Sequence, residues 1–175
     1  MDDERLIRRI KSGDKNALDD LIQKYYNDIY KYCYRKMGRK SDAEDITQEA
    51  FLHFCRNFDS YTQRGKCRNY LYVIARNLCA NTLQKKTSLP LSSIKEEYLS
   101  ENDTGLKQVD AVDSVQAALK QLPEEQRTVI LLRFYQDLKL KEIAQIVDAG
   151  LSVTKYRLYQ GLKTLSKLLL KEDWL

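Results

Sequence analysis

The sequence has few of the residues that interrupt helices: only 6 glycines and 2 prolines occur among its 175 residues. Because both residue types are costly inside a helix, their scarcity favours a helical protein. With 43% hydrophobic and 31% charged residues, the chain can bury a core. Its length suits one ordinary domain or two small ones. We therefore predict an all-α fold.

Long apolar runs are missing as well. A membrane-spanning helix needs roughly 20 apolar residues, and no run in the chain approaches that length. The N-terminus is charged from its first residues and has no apolar signal core. We expect a cytoplasmic protein without membrane insertion.

Residues that bind metals or carry out catalysis are sparse. The only histidine is His53, and no two of the four cysteines form a C-x-x-C pair; these are Cys33, Cys55, Cys67 and Cys79. A zinc site needs clustered ligands. The sequence also shows no paired acids in an obvious pocket and no glycine-rich phosphate loop. We predict reduced, mostly buried thiols and no metal, cofactor, catalytic residue or enzymatic activity.

Apolar residues recur at helical spacing through residues 1–86 and predict a first helical domain. The helices are expected to cover about residues 6–12, 16–37, 42–57 and 67–86. Gly38 would end the second helix. Ser41 and Glu44 have the spacing of a capping box at the start of the third.

Residues 87–108 differ in composition from the rest of the chain. They mix Ser, Thr, Pro, Gly and acids without a sustained amphipathic period. Residues 87–110 hold two lysines and five acids, which gives a net charge of −3. This composition predicts a flexible acidic linker.

Residues 109–175 predict a second helical domain. Pro123 suits the first turn of a helix, whose buried side would be formed by Val129, Ile130, Leu132 and Phe134. A short helix near residues 140–147, a turn at 148–150 and a long helix at 151–170 follow. This order is typical of a helix-turn-helix.

Charge is distributed unevenly. Residues 42–49 hold four acids and no base, residues 62–86 hold six Lys or Arg and no acid, and residues 138–171 hold seven Lys or Arg and two acids. Two separate basic segments suit a protein that touches nucleic acid in two places. The acidic helix could then meet a basic protein surface. Each run could also be a solvated helix face.

Three stretches together resemble the extracytoplasmic-function group of bacterial sigma factors. Residues 42–51 (DAEDITQEAF) are similar to the segment that grips the polymerase clamp, residues 70–77 (YLYVIARN) to the promoter-melting helix, and residues 122–144 to the second domain. The last helix departs from the family pattern, with Gln160 at an expected arginine and Gly161 at a usual alanine.

The resemblance implies a transcription initiation factor that directs RNA polymerase core to specific promoters. The C-terminal helix-turn-helix would read the −35 element of promoter DNA, and the N-terminal domain would capture melted −10 bases. Many members of the group are held inactive by an anti-sigma factor, which is therefore a further candidate partner.

The resemblance also nominates residues for each surface. Core polymerase would be bound by Asp45, Gln48 and Glu49, which share one helix face. Asn77 would read an extruded base, since an amide both donates and accepts. The remaining candidates for the −10 element are Tyr61, Arg64 and Lys66 as pocket walls and Arg68 and Arg76 on phosphates.

On the final helix, longer cations would contact the DNA backbone and other side chains would contact base edges. The phosphate candidates are Lys155, Arg157 and Lys163, the base-edge candidates are Tyr156, Tyr159 and Gln160, and Ser152 lies on the same side. Either tyrosine could instead pack on a neighbouring helix.

Two other functions stay open. An ordinary helix-turn-helix regulator would bind duplex DNA without polymerase, but it would not need the acidic helix at residues 42–49. A sigma-like protein that binds polymerase without reading promoters is suggested only by the unusual stretch at residues 150–161. A DNA-cutting recombinase could also carry a helix-turn-helix, but no setting for a nucleophile is visible.

Overall fold

The computed structural model describes residues 2–61, 66–87 and 109–172. Within these ranges the regular elements are all helices, which confirms the all-α fold class. The chain divides into two compact units, Met1–Thr87 and Ser88–Leu175. The predicted linker lies outside the described residues except for Thr87. None of the helices in the described ranges is both long enough and apolar enough to cross a membrane.

The first unit consists of four helices. They are α1 (Asp3–Lys11), α2 (Lys15–Met37), α3 (Lys40–Arg56) and α4 (Cys67–Thr87), with a short 3₁₀ turn at Phe58–Ser60. The long helix α2 packs against the other three. Its N-terminus is capped by the carboxylate of Asp14, and Gly38 ends it in a left-handed conformation with φ of 76°, as predicted.

The predicted capping box is wrong. Because α3 begins at Lys40, Ser41 lies inside the helix, and no side chain caps the first turn. Asp42 instead forms an ion pair with Lys86 near the end of α4. This pair ties the start of α3 to α4.

Aromatic and sulfur side chains fill much of the first core. Tyr32 of α2 packs edge-on against Tyr72 of α4, with ring centroids 5.6 Å apart. Three of the four thiols are fully buried and Cys55 is half-buried, which agrees with the expectation from the sequence.

A hydrogen-bonded carboxylate fixes α1 to the rest of the unit. Asp3 Oδ1 accepts hydrogen bonds of 2.6 Å from Lys24 Nζ and from the Tyr25 hydroxyl. The backbone N–H of Cys67, the first residue of α4, also donates to this carboxylate. Burial alone would raise the pKa of Asp3, but these donors hold the pKa below its usual value.

We therefore expect Asp3→Asn to destabilise the first unit in a pH-dependent way. A carboxyl group with a lowered pKa stabilises the folded state above its unfolded pKa, and this contribution disappears as pH falls through the folded pKa. The loss should be about 1–3 kcal/mol at pH 7. It should shrink as the pH falls below about 4. Urea unfolding at pH 7 and pH 3 measures both values.

Asp2→Asn is the matched control, because the Asp2 side chain is exposed and makes no capping hydrogen bond. It should leave stability nearly unchanged. An Asp3→Asn penalty as large at pH 3 as at pH 7 would contradict a role for the ionised carboxylate.

The second unit is organised around its last helix. Its elements are α5 (Val109–Lys120), α6 (Glu124–Ile130), which continues into a π-helical turn at Leu131–Tyr135, α7 (Leu140–Ile146) and α8 (Leu151–Glu172). Helix α8 packs against α5, α6 and α7. Helices α7 and α8 with the turn between them form the predicted helix-turn-helix.

The prediction that Phe134 is buried is wrong. Val129, Ile130 and Leu132 lie in the core as expected, but Phe134 is 59% exposed. The π-helical turn inserts extra backbone after Ile130, and this changes the direction in which the following side chains point.

Gly161 allows α8 to approach α6 closely. A Cβ atom at this position would lie 2.8 Å from Ile130 Cδ1 and 3.2 Å from Gln126 Cβ, both on α6. Such distances are too short for ordinary packing, so even a methyl group would force a neighbour to move. Glycine at this position avoids that displacement.

Candidate protein and nucleic-acid interfaces

The three candidates for protein binding share one exposed face of α3. Asp45, Gln48 and Glu49 are all exposed, whereas Ile46 and Phe51 point into the core. The Glu49 carboxylate accepts a 3.4 Å hydrogen bond from the Arg56 guanidinium, but both side chains remain open to solvent. We call Asp45, Gln48 and Glu49 the acidic face.

Leu52 adds an apolar group to this surface. It follows Gln48 and Glu49 by about one helical turn and is 49% exposed. Its exposure was not predictable from the sequence, because a leucine in an amphipathic helix is usually buried. An exposed leucine beside carboxylates suits a partner surface that combines basic and apolar groups.

Two of the −10 candidates on α4, the exposed Asn77 and the half-buried Arg76, already interact. Asn77 is exposed, and its Oδ1 accepts hydrogen bonds from Arg76 Nε at 3.3 Å and Arg76 Nη2 at 3.1 Å. A base bound at Asn77 would accept a hydrogen bond from the amide nitrogen, or it would displace Arg76 from Oδ1. The two residues therefore form one polar unit, although sequence analysis gave them separate roles.

The structure places Tyr61 in the hydrophobic core and not on an open pocket wall. Its side chain is 8% exposed and packs against Phe54, Phe58 and Tyr70, with ring centroids 5.8, 6.1 and 5.1 Å away. Burial raises the pKa of Tyr61 to about 12. Its backbone oxygen accepts a 3.4 Å hydrogen bond from Lys11 Nζ, so α1 contacts the backbone at Tyr61.

The other −10 candidates lie near the start of α4. Lys66 is exposed and Arg68 is half-buried. Arg64 lies outside the described residues. The role of Lys11 was not predictable from the sequence, because its contact with Tyr61 joins residues 50 positions apart.

Five of the seven −35 candidates form a continuous face of α8. Ser152, Lys155, Tyr156, Tyr159 and Lys163 are all exposed, and each lies three or four residues from another member of the set. Tyr156 and Tyr159 are each 63% exposed, so neither is buried against a neighbouring helix. We call these five residues the α8 face.

The remaining two candidates flank the α8 face. Arg157 Nη2 lies 2.8 Å from Glu125 Oε1 at the start of α6, and the Arg157 side chain is mostly covered. Gln160 is half-buried. Val153, which sequence analysis missed, is 46% exposed and lies one turn before Tyr156.

Family models match both units. The model described as Sigma-70 region 2 matches residues 21–88, and the model described as Sigma-70, region 4 matches residues 113–165. The ECF RNA polymerase sigma factor SigW of Bacillus subtilis is 33% identical over 95% of this chain and 96% of its own length.

Two solved structures have a similar fold at 18% identity. CnrH, solved in complex with the cytosolic domain of CnrY, has a TM-score of 0.74 and is matched over 95% of this chain and 96% of its own. The sigma factor RpoE of Bartonella quintana, solved with the anti-sigma factor NepR, has a TM-score of 0.70 over 86% of this chain and 95% of its own.

Proposed function

Because the chain belongs to the extracytoplasmic-function group of sigma-70 factors, we propose that it carries RNA polymerase core to promoters by reading two DNA elements. Members of this family are transcription initiation factors and not enzymes. The proposal assigns core binding and the −10 element to residues 1–86, a tether to residues 87–108 and the −35 element to residues 109–175. The site of action would be the cytoplasm.

The α8 face supports this proposal most directly. In a helix-turn-helix, the second helix enters the major groove and presents its N-terminal side chains to base edges. Lys155 and Lys163 would contact phosphates, while Tyr156 and Tyr159 project far enough to reach the groove. Arg157 is held by Glu125 and would act by orienting α8 unless DNA displaces that pair.

Capture of −10 bases would take place at the exposed side of α4. Extruding a base costs a few kcal/mol of stacking. Hydrogen bonds from the Arg76–Asn77 unit could offset part of that free energy, since the unit offers amide and guanidinium donors to a base and its phosphate. Lys66 and Arg68 would contribute positive charge at the start of α4, and Arg64 is a further candidate for contacting this DNA.

The acidic face would anchor the factor to core polymerase, which would need a basic surface at that point. A sigma factor with a similar fold was solved with an anti-sigma factor, and we propose that this chain has a partner of that class. Such a partner would act by covering one of these surfaces.

Reconstitution with purified core polymerase tests the proposal. The protein should support transcripts that start at particular promoters and disappear when either promoter element is replaced. An ordinary regulator would give two different results. The protein would bind specific duplex DNA without core polymerase, and no transcript would form when core polymerase is added.

Two substitutions on α8 should separate positioning from reading. Lys163→Ala should weaken all upstream elements alike and lower the salt slope of binding by about one. Gln160→Ala should cost about 1–3 kcal/mol at one base pair only. Binding across single-base changes and several salt concentrations measures both effects. If Gln160→Ala weakened binding to every DNA sequence equally, Gln160 would not be a residue that contacts a base edge.

A further inference from the structure

One ion pair joins the second helix of the helix-turn-helix to α6. Arg157 Nη2 on α8 lies 2.8 Å from Glu125 Oε1 at the start of α6. The Arg157 side chain is 21% exposed, whereas that of Glu125 is 66% exposed. A hydrogen bond between two charged groups at this distance is short and directional. We call this contact the α6–α8 ion pair.

Arg157 lies on the inner side of α8. It follows Thr154 by three residues and precedes Gly161 by four, and both of these residues are buried. Residues at such spacings lie along one side of a helix. The exposed residues of the α8 face occupy the other side. The guanidinium of Arg157 is therefore directed towards α6 and away from the proposed DNA surface.

A second contact between the same two helices follows one turn later on α8. A Cβ atom at Gly161 would lie 3.2 Å from Gln126 Cβ, and Gln126 directly follows Glu125. Arg157 and Gly161 are about 6 Å apart along the helix axis. The close approach at Gly161 holds the middle of α8 against α6, and the ion pair restrains the tilt of the turns that precede it. Those turns carry Ser152, Lys155 and Tyr156 of the α8 face.

We infer that the α6–α8 ion pair holds the N-terminal half of α8 at the angle needed to read the −35 element, and that Glu125 is a positioning residue that controls base specificity without touching DNA. The inference rests on the −35 recognition proposed above and adds a residue to it. Hydrogen bonds to base edges weaken steeply when the donor is misaligned. Lysines on long flexible stems reach phosphates over a wider range of angles. Loss of the ion pair should therefore reduce base selectivity more than it reduces general affinity for DNA.

The alternative is that Arg157 leaves Glu125 and contacts a phosphate when DNA binds. That exchange would leave the Glu125 carboxylate unpaired near a polyanion, so electrostatic repulsion opposes it. The covered position of the Arg157 side chain opposes it as well, because the guanidinium would have to give up its contact with α6. The two models differ in salt dependence. A phosphate contact contributes about one unit to the salt slope of binding, and a positioning pair contributes none.

Substitutions of both partners test the inference in holoenzyme assembled from the full-length protein and purified core polymerase. Affinity is measured for promoter fragments with single-base changes in the −35 element, at several salt concentrations. Arg157→Met removes the charge from a long unbranched side chain, and Glu125→Ala removes the carboxylate. Each should lower the preference for the favoured −35 sequence about fivefold and leave the salt slope unchanged. The double variant should lose no more than either single variant, because all three lack the same contact.

Glu124→Ala is the matched control, because it makes the same change in charge one residue earlier on α6. The Glu124 carboxylate accepts a 3.2 Å hydrogen bond from Thr128 Oγ1 within α6, so its loss should leave base selectivity unchanged. Thermal melting of every variant should stay near that of the unsubstituted protein, since an ion pair with one exposed partner adds little stability.

The outcomes separate this inference from the function on which it rests. A salt slope lowered by about one in Arg157→Met would overturn the inference and make Arg157 a phosphate contact. Unchanged base preference in either single variant would also overturn it, as would an equal loss in Glu124→Ala or a marked fall in the melting temperature of the second unit. The proposed function survives these results if the unsubstituted holoenzyme still discriminates between −35 sequences. Absence of that discrimination would instead overturn the proposed −35 recognition.

Discussion

Asp45→Lys combined with Glu49→Lys is expected to abolish binding to core polymerase while leaving the fold intact. Both carboxylates lie on the acidic face, and neither is buried. Replacing them with lysines turns attraction into repulsion, which costs several kcal/mol at an interface. We therefore expect affinity to fall by at least about a hundredfold. Co-purification with core polymerase measures the loss, and thermal unfolding checks the fold.

A matched variant separates position from total charge. Glu4→Lys with Asp19→Lys makes the same change in net charge at two exposed positions on α1 and α2. This variant should co-purify with core polymerase normally. An equal loss of core binding in both variants would show a general effect of net charge. Normal binding by the Asp45→Lys, Glu49→Lys variant would show that this face of α3 does not contact core polymerase.

Helix ends and exposed faces were predictable where one local signal dominates. Gly38 can adopt the left-handed conformation at little cost, so it marked the end of α2 in the sequence and in the structure. The spacing of Ile46 and Phe51 fixed the buried side of α3 and thereby the exposure of Asp45 and Glu49. Such inferences need only the helical repeat.

Long-range pairs were not predictable in the same way. Asp42 is one of the four acids counted in residues 42–49, but it pairs with Lys86, which is 44 residues away. Arg157 was assigned to phosphates, yet its partner Glu125 lies on another helix. Both pairs depend on how helices cross, which no local pattern encodes.

Backbone irregularities account for the other errors. The spacing of apolar residues assumed a regular α-helix through Phe134, but a π-helical turn follows Ile130 and changes the direction of the later side chains. The family resemblance placed Tyr61 on a pocket wall. Its ring packs on Phe54, Phe58 and Tyr70 because the 3₁₀ turn redirects the chain toward the core.

Gly161→Leu is expected to destabilise the second unit without affecting the first. A Cβ atom at Gly161 would lie 2.8 Å from Ile130 Cδ1 and 3.2 Å from Gln126 Cβ on α6, and leucine adds three more carbons that must also be accommodated there. Overpacking of this kind costs about 3 kcal/mol or more when helices cannot separate freely. A domain of this size should then melt about 15 °C lower. Calorimetry should show that shift in one transition, while core binding through α3 persists and −35 binding is lost.

Two further variants assign this loss to the contact. Gly150→Leu places the same side chain where nothing lies within 4 Å, so it should cost no more than about 1 kcal/mol through the helix cap. Ile130→Val removes the Cδ1 atom that a new Cβ would meet. Gly161→Ala should therefore be better tolerated in the Ile130→Val background than alone, and the double-mutant cycle measures this coupling. Equal effects of Gly161→Ala in both backgrounds would show that Ile130 does not limit the approach of α8 to α6.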